Sequence, residues 1–145
     1  MSLQDWVRNA WLVPLKTSRE EIQNPLGIVE RDLRDSRAEG ISNDWRFAIA
    51  YNAALQAAAA ALAAAGFRAS RDSHHYRVIQ SLELTVAKDA KFVRSFDAFR
   101  KKRNVSNYDV GGGISDREVA EMTALAESLY QDVEQWIRAN HPALL

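Results

Sequence analysis

A nearly uninterrupted alanine run at positions 57–65 limits the fold more than any other feature of the chain. It holds eight alanines and one leucine, and alanine has the highest helix propensity of all residues. Larger apolar residues anchor the segment, so the sequence predicts a helix from Trp45 to Ala65 that Gly66 ends. Small side chains on every face let neighbouring helices approach closely. We therefore expect this helix to lie at the centre of a helical bundle.

Further helices are predicted on both sides of the alanine-rich one. Pro25 and Gly27 fall inside one of them and predict a kink or a break there. No alternating pattern of apolar and polar residues indicates a strand, and no linker divides the chain. The fold class is therefore all-α, an antiparallel bundle of four to five helices in a single domain, 1–145. We expect a short opening helix around Trp6 and Trp11 that Pro14 limits, a helix from the Thr17–Glu20 capping box to about Arg37, one at about 73–86, one from Lys88 or Asp89, and a last one that Ser115 and Glu118 cap.

Composition excludes several classes of function. The chain has no cysteine, which rules out disulfides, thiolate metal sites and a cysteine nucleophile. The N-terminus lacks the pattern of a secretory signal, and the longest stretch of low polarity, 57–66, is shorter than the roughly 20 residues that span a bilayer. We therefore expect a cytoplasmic protein that does not enter a membrane.

Charge is unevenly distributed although the formal net charge is zero. Residues 88–103 carry seven basic side chains against two acidic ones, whereas residues 109–134 carry seven acidic side chains against Arg117. Two interpretations remain open. The basic and acidic helices neutralise each other across a helix pair or a dimer interface, or the basic helix binds phosphate. Any binding of nucleic acid has to come from this local patch, since the whole chain provides no long-range attraction.

Metal and cofactor sites are not indicated. The adjacent histidines His74 and His75 point about 100° apart on a helix, so they cannot chelate one metal ion from one face. They are expected to cap a helix or to line a polar interface. The glycines at 111–113 lack the lysine and the preceding strand of a phosphate-binding loop. We therefore expect no cofactor.

The candidate site is the polar segment between the last two predicted helices. It begins at Arg100 and ends at Asp109, just before the three glycines. The apolar residues that precede it recur at helical spacing, so its arginines extend from a helix with a buried face. In the simplest interpretation this is a helix end whose arginine pairs with Asp109 or with the acidic last helix, because such residues are common in turns.

The hexapeptide from Arg103 to Tyr108 resembles the signature of the HEPN superfamily (higher eukaryote and prokaryote nucleotide-binding). That signature is an arginine, a polar residue, three variable residues and a histidine. The chain is similar to a bacterial subgroup in which tyrosine and aspartate replace the histidine. The resemblance implies a homodimer with two facing motifs. In active members of the family this composite cleft cuts RNA without a metal ion, whereas other members bind nucleotides or are interaction domains and toxin–antitoxin components.

The resemblance also implies a role for each residue. Arg103 would bind the scissile phosphate and stabilise charge in the transition state, and Asn104 would orient Arg103 or its partner. Tyr108 takes the place of the histidine. A tyrosine with a pKa near 10 is a poor general base at neutral pH, and His74 or His75 could replace it only if the fold brings them near. Phosphate would further contact Arg100, Lys101, Lys102 and Asp109.

Two functions from different classes follow from these observations. The first is a metal-independent endoribonuclease or RNA- and nucleotide-binding protein, which uses Arg103, Asn104 and Tyr108 from both subunits. The second is a catalytically inactive dimerisation or interaction module. Its partner would be a protein such as an antitoxin or a nucleotidyltransferase-like protein.

Overall fold

The fold is an all-α bundle with one small β-ribbon, as a computed structural model shows. The structure describes the backbone of residues 1–108 and 113–145 and the side chains of residues 1–104 and 113–145. The predicted fold class is confirmed. The elements in chain order are α1 (Leu3–Arg8), β1 (Leu12–Pro14), α2 (Arg19–Asp35), α3 (Asn43–Ala64), β2 (Phe67–Ala69), α4 (His74–Gln80), α5 (Ala90–Tyr108) and α6 (Asp116–Asn140), with 3-10 turns at Ser81–Glu83 and Pro142–Leu144.

The alanine-rich helix α3 is the centre of the core, as the sequence predicts. Its alanines are buried against α2 on one side and α6 on the other. The buried face of α6 follows helical spacing from Met122 through Val133 to Ile137. By length and composition α3 could cross a membrane, with a mean hydropathy of 1.5, yet 78% of that window is buried inside the fold. Such burial is typical of a core helix.

Helix α2 begins one residue later than its predicted capping box. The hydroxyl of Ser18 accepts from the backbone N–H of Glu21 at 3.4 Å, whereas the hydroxyl of Thr17 donates to the carbonyl of Ala63 in the neighbouring helix α3. Thr17 is therefore used for a tertiary contact, which the local sequence could not indicate. The predicted capping box of Ser115 and Glu118 at α6 is confirmed.

Of the kink or break predicted in α2, the break is wrong, because one helix runs through Pro25 and Gly27. Apolar residues on both sides of the proline, Ile22, Leu26 and Val29, are buried in the core. Packing on α3 therefore holds both halves of α2, and it compensates for the backbone hydrogen bond that proline cannot donate.

The expectation of no strand is also wrong. Strands β1 and β2 pair antiparallel, with Leu12 opposite Ala69 and Pro14 opposite Phe67. Three-residue strands are too short to give an alternating pattern. The ribbon connects the N-terminal segment to the end of α3, where Gly66 adopts a positive φ of 97° that glycine tolerates best.

Helix α4 is shorter than the predicted helix at 73–86. It ends at Gln80, and a 3-10 turn follows. The hydroxyl of Ser81 donates to the carbonyl of Val78 at 2.7 Å, and that of Thr85 donates to the carbonyl of Ser81 at 3.3 Å. Such side-chain bonds to the backbone compete with a continued helix. Residue 87, an alanine, then has a positive φ of 58°, which excludes it from a right-handed helix.

The N-terminal tryptophans pack on α4 and complete the core. The guanidinium of Arg77 lies 3.6 Å from the ring centroid of Trp11 and 5.8 Å from that of Trp6. The rings of the two tryptophans meet edge to face at 5.6 Å. This contact, together with the ribbon that precedes α4, fixes α4 against the body of the protein.

Candidate functional site

A cleft of about 650 Å³ lies where the start of α4 meets the basic end of α5. Helix α5 contributes three residues that were predicted from the sequence, and the start of α4 contributes the two adjacent histidines. Among the described lining residues there is no carboxylate. The lining consists of Arg100, Arg103, Asn104, Ser73, His74, His75 and Tyr76.

The apolar face of α5 determines where its arginines lie. Phe96 is fully buried and meets the ring of Tyr51 edge to face at 5.9 Å, and Phe99 meets Phe47 at 5.7 Å. Both partners belong to α3. Arg100 and Arg103 follow the two phenylalanines by four residues, which is about one helical turn. Docking of α5 on the central helix therefore carries both arginines to the edge of the core.

Arg103 is held in the cleft without its full set of hydrogen bonds. Its guanidinium carbon lies 5.3 Å from the ring centroid of Tyr51, and its Nη1 donates a long hydrogen bond of 3.4 Å to Oδ1 of Asn104. Its Nε is buried and has no hydrogen-bond partner in the described part of the chain. A buried donor without a partner costs free energy, and a bound anion would remove that cost.

The other basic residues of the segment are paired with carboxylates. Arg100 donates through Nε to Oδ1 of Asp97 at 2.7 Å, and Lys101 approaches the second oxygen of the same carboxylate at 3.6 Å. Lys102 pairs with Glu118 of α6 at 3.4 Å. Lys101 and Lys102 lie outside the cleft lining, so Arg103 and Arg100 supply its positive charge.

The predicted charge neutralisation between residues 88–103, the basic segment, and the acidic helix α6 therefore occurs in part. Besides the pair of Lys102 and Glu118, Lys88 pairs with Asp132 of α6. Lys88 and Lys102 lie near the two ends of this basic segment. Arg103 takes no part in these ion pairs among the described residues, so neutralisation applies to some of the basic side chains, and phosphate binding stays a prediction.

His75 joins the cleft to the core through Tyr51. Nδ1 of His75 lies 3.2 Å from the hydroxyl of Tyr51, which is fully buried in α3. Burial lowers the pKa of His75 below its usual 6.5, and the positive charges of Arg103, His74 and Arg100 lower it further. Burial also raises the pKa of the Tyr51 hydroxyl. At neutral pH the cleft therefore contains an uncharged imidazole beside a protonated phenol.

The expectation that the two histidines line a polar interface is met at His75. Its ring centroid lies 6.0 Å from that of His74, which also lines the cleft. Sequence reasoning missed Tyr51, because a tyrosine in an alanine-rich helix looks like an ordinary core residue. The side chain of Tyr108, and Asp109 as a whole, lie outside the described residues, so their predicted roles stay predictions.

Among the described residues, no group of three or more histidine, aspartate or glutamate side chains is arranged to hold a metal ion. Neither a protein-family model nor a curated protein matches the chain. The resemblance of residues 103–108 to the HEPN signature thus stands on those residues alone. The arrangement of the cleft is an independent reason to assign chemistry to this segment.

Proposed function

We propose that the protein is a HEPN-like, cytoplasmic RNA-binding protein that holds an RNA phosphate in this cleft and cleaves the RNA without a metal ion. The observation that carries the proposal is the unpartnered Nε of Arg103 in a cleft whose described lining contains no carboxylate. Asp97, the nearest acid along α5, already pairs with Arg100 and Lys101. An anion can therefore reach Arg103 without displacing an ion-pair partner from the described part of the chain.

The chemistry of arginine fits a phosphodiester. Its planar guanidinium can donate two parallel hydrogen bonds to phosphate oxygens. During transfer of the phosphoryl group, negative charge builds on those oxygens, and a fixed cation beside them lowers the barrier. The ring of Tyr51 below the guanidinium limits its motion. As in the family that the sequence resembles, we propose a homodimer in which two such clefts face each other.

A second candidate is an interaction module that binds a partner protein. The ion pairs of Lys88 with Asp132 and of Lys102 with Glu118 favour it, because they leave fewer free cations for a long RNA. In that case the same cleft would receive an acidic side chain of an antitoxin or a nucleotidyltransferase-like partner.

RNA binding is the first test of the proposal. Fluorescence anisotropy with a labelled single-stranded RNA in EDTA measures the affinity of wild type, Arg103→Ala and Arg94→Ala. Arg94 is an exposed residue of the same helix outside the cleft lining, so its variant makes the same change in net charge. We expect Arg103→Ala to weaken binding about tenfold or more, since hydrogen bonds to charged groups contribute about 1.5–3 kcal/mol. Arg94→Ala should change it little.

Equal affinities of the two variants would contradict the proposal, and so would a wild type that does not bind RNA. Affinity should also fall steeply as salt is raised from about 50 to 200 mM, because phosphate contacts release counterions. Gel electrophoresis of the same mixtures reports cleavage, and light scattering reports whether the protein is a dimer. A dimer that neither binds nor cuts RNA would favour the interaction module.

A further inference from the structure

The cleft contains two imidazoles that come from a different helix than Arg103. His74 and His75 are the first residues of α4, whereas Arg103 lies on α5. We infer that His75 is the general base of this cleft, and that His74 returns the proton to the leaving group. This inference rests on the proposed function, because it assigns the proton transfers of the RNA cleavage proposed above. It makes the reaction independent of residue 108.

The contact between His75 and Tyr51 gives the ring a defined orientation. Nδ1 faces the buried hydroxyl of Tyr51 at 3.2 Å, so Nε2, on the opposite side of the ring, is the nitrogen left for a ligand in the cleft. A tyrosine hydroxyl can accept a hydrogen bond as well as donate one. When Nδ1 carries the proton and donates to Tyr51, Nε2 has a free lone pair and can act as a base. Once Nε2 is protonated, the same hydrogen bond stabilises the imidazolium.

The surroundings of His75 keep it uncharged before it reacts. It faces Tyr51 from α3, Arg100 and Arg103 from α5, and His74 from its own helix. The described lining contains no carboxylate that would favour the imidazolium. The pKa of His75 is consequently lowered, and at neutral pH the base is in its reactive form.

The reaction is a transfer within the RNA chain. The ribose 2′-oxygen attacks the neighbouring phosphorus, and its proton passes to Nε2 of His75. The bond between phosphorus and the 5′-oxygen breaks, and that oxygen receives a proton from His74. The guanidinium of Arg103 stabilises the charge on the phosphoryl oxygens in between. The products are a 2′,3′-cyclic phosphate and a 5′-hydroxyl end, and exchange with water returns both histidines to their starting forms.

The decisive variants are His75→Ala and His75→Gln. We expect each to lower the rate of RNA cleavage by about 100-fold or more, the usual contribution of a general base, while the anisotropy affinity for RNA stays at the wild-type value. Added imidazole should restore part of the rate of His75→Ala, since the free base can enter the space that the side chain leaves. A merely structural loss would not respond to imidazole.

Matched controls separate this role from folding. His141→Ala removes the third histidine, which packs on Trp136 away from the cleft, and should cleave at the wild-type rate. In wild type the lowered pKa of His75 should maintain the rate down to pH values below the ordinary histidine pKa of about 6.5, and the rate should fall only at still lower pH, where the base becomes protonated. His75→Gln retains polar groups in a side chain of similar reach, so it remains informative if His75→Ala does not fold.

The outcomes distinguish the two proposals. If wild type binds and cuts RNA but His75→Gln cuts at the same rate, the assignment of His75 is wrong and the proposed function stands. If RNA is bound through Arg103 but is not cut by wild type, the proton-transfer assignment fails and binding remains. If wild type binds no RNA, both proposals are overturned. Cleavage that Tyr108→Phe abolishes and His75→Gln leaves intact would assign the chemistry to residue 108.

Discussion

Asp32 and Arg103 are charged side chains of the described part of the chain that reach the interior, and their polar atoms are paired to different degrees. Asp32 lies between α2 and α3 and is only 5% exposed. Its two oxygens accept from Nδ2 of Asn52 at 2.7 Å and from Nε of Arg31 at 3.1 Å. Arg103 lies between α4 and α5, where its buried Nε has no partner in the described part of the chain.

The difference separates a stabilising interface from a binding site. At the interface of α2 and α3, both oxygens of Asp32 accept hydrogen bonds from protein side chains, so this carboxylate does not need a ligand as a partner. The cleft instead keeps a buried donor, Nε of Arg103, for which the described part of the chain offers no acceptor. Buried polar groups in proteins are nearly always paired, and the exceptions occur preferentially where function requires them.

The largest change in the free energy of unfolding is expected from removing a hydrogen-bond donor of the buried Asp32 carboxylate. Asn52→Ala leaves one oxygen of the buried Asp32 carboxylate without its partner, and it should lower the free energy of unfolding by about 2 kcal/mol. Urea denaturation measures the change. Gln56→Ala is the matched control, because this amide lies one turn further along α3 and makes no hydrogen bond in the described part of the chain.

The control should remain within about 0.5 kcal/mol of wild type. An Asn52→Ala variant as stable as Gln56→Ala would mean that water satisfies Asp32 as well as Asn52 does. The interface of α2 and α3 and the cleft would then be alike in this respect, and the contrast between them would be lost.

A smaller effect, of opposite sign, is expected from the cleft. Arg103→Met keeps a long side chain over Tyr51 but removes the unsatisfied donor and its charge. We expect the free energy of unfolding to rise by about 1 kcal/mol, while RNA binding is lost. Such a gain in stability at the expense of function is common for residues in binding sites.

Arg94→Met controls for the general effect of replacing an arginine of α5 by an apolar residue, and it should leave stability nearly unchanged because Arg94 is exposed. Destabilisation by Arg103→Met would show that the guanidinium makes a net favourable contribution where it is. The unpartnered Nε would then no longer distinguish the cleft from the paired site at Asp32.

The sequence could predict those parts of the fold that local patterns determine. The alanine run indicates α3, and the capping box of Ser115 and Glu118 marks the start of α6, because helix propensity and capping act within a few residues. The β-ribbon escaped prediction, since residues 12–14 find their partners at 67–69 and three residues carry no period. The choice of Ser18 over Thr17 as the cap also depended on a distant carbonyl of α3.

In the candidate site, too, local sequence patterns predict some residues and not others. Arg103 and Asn104 were predicted because they are adjacent in the chain and match a local signature. The contact of Tyr51 with His75 spans 24 positions, and that of Asn52 with Asp32 spans 20. Contacts between residues so far apart in the chain leave no pattern in the local sequence that would predict them. Only the docking of α4 and α5 on the same end of α3 brings the histidines and the arginine together.

The smallest effect concerns the pH dependence of stability, and it compares the cleft with the rest of the molecule. The pKa of His75 is lower in the folded protein than in the unfolded chain. As the pH falls below about 6.5, the unfolded chain takes up a proton that the folded protein does not yet bind, so stability decreases with acidification. His75→Gln removes this contribution. Between about pH 7.5 and pH 5, its free energy of unfolding should therefore decrease less than that of wild type.

Urea denaturation at both pH values gives the two decreases, and the carboxylates common to both proteins cancel in their difference. His141→Gln serves as the control. His141 packs against Trp136 near the C-terminal end of the chain and is not one of the residues that line the cleft. An equal decrease in wild type and His75→Gln would show that His75 titrates in the folded protein as it does in the unfolded chain. Because neutrality at pH 7 is what lets this imidazole accept a proton, that result would also weaken its assignment as the base. If the free energy of unfolding decreases less than in wild type for His75→Gln but not for His141→Gln, the lowered pKa of His75 contributes to the pH dependence of stability.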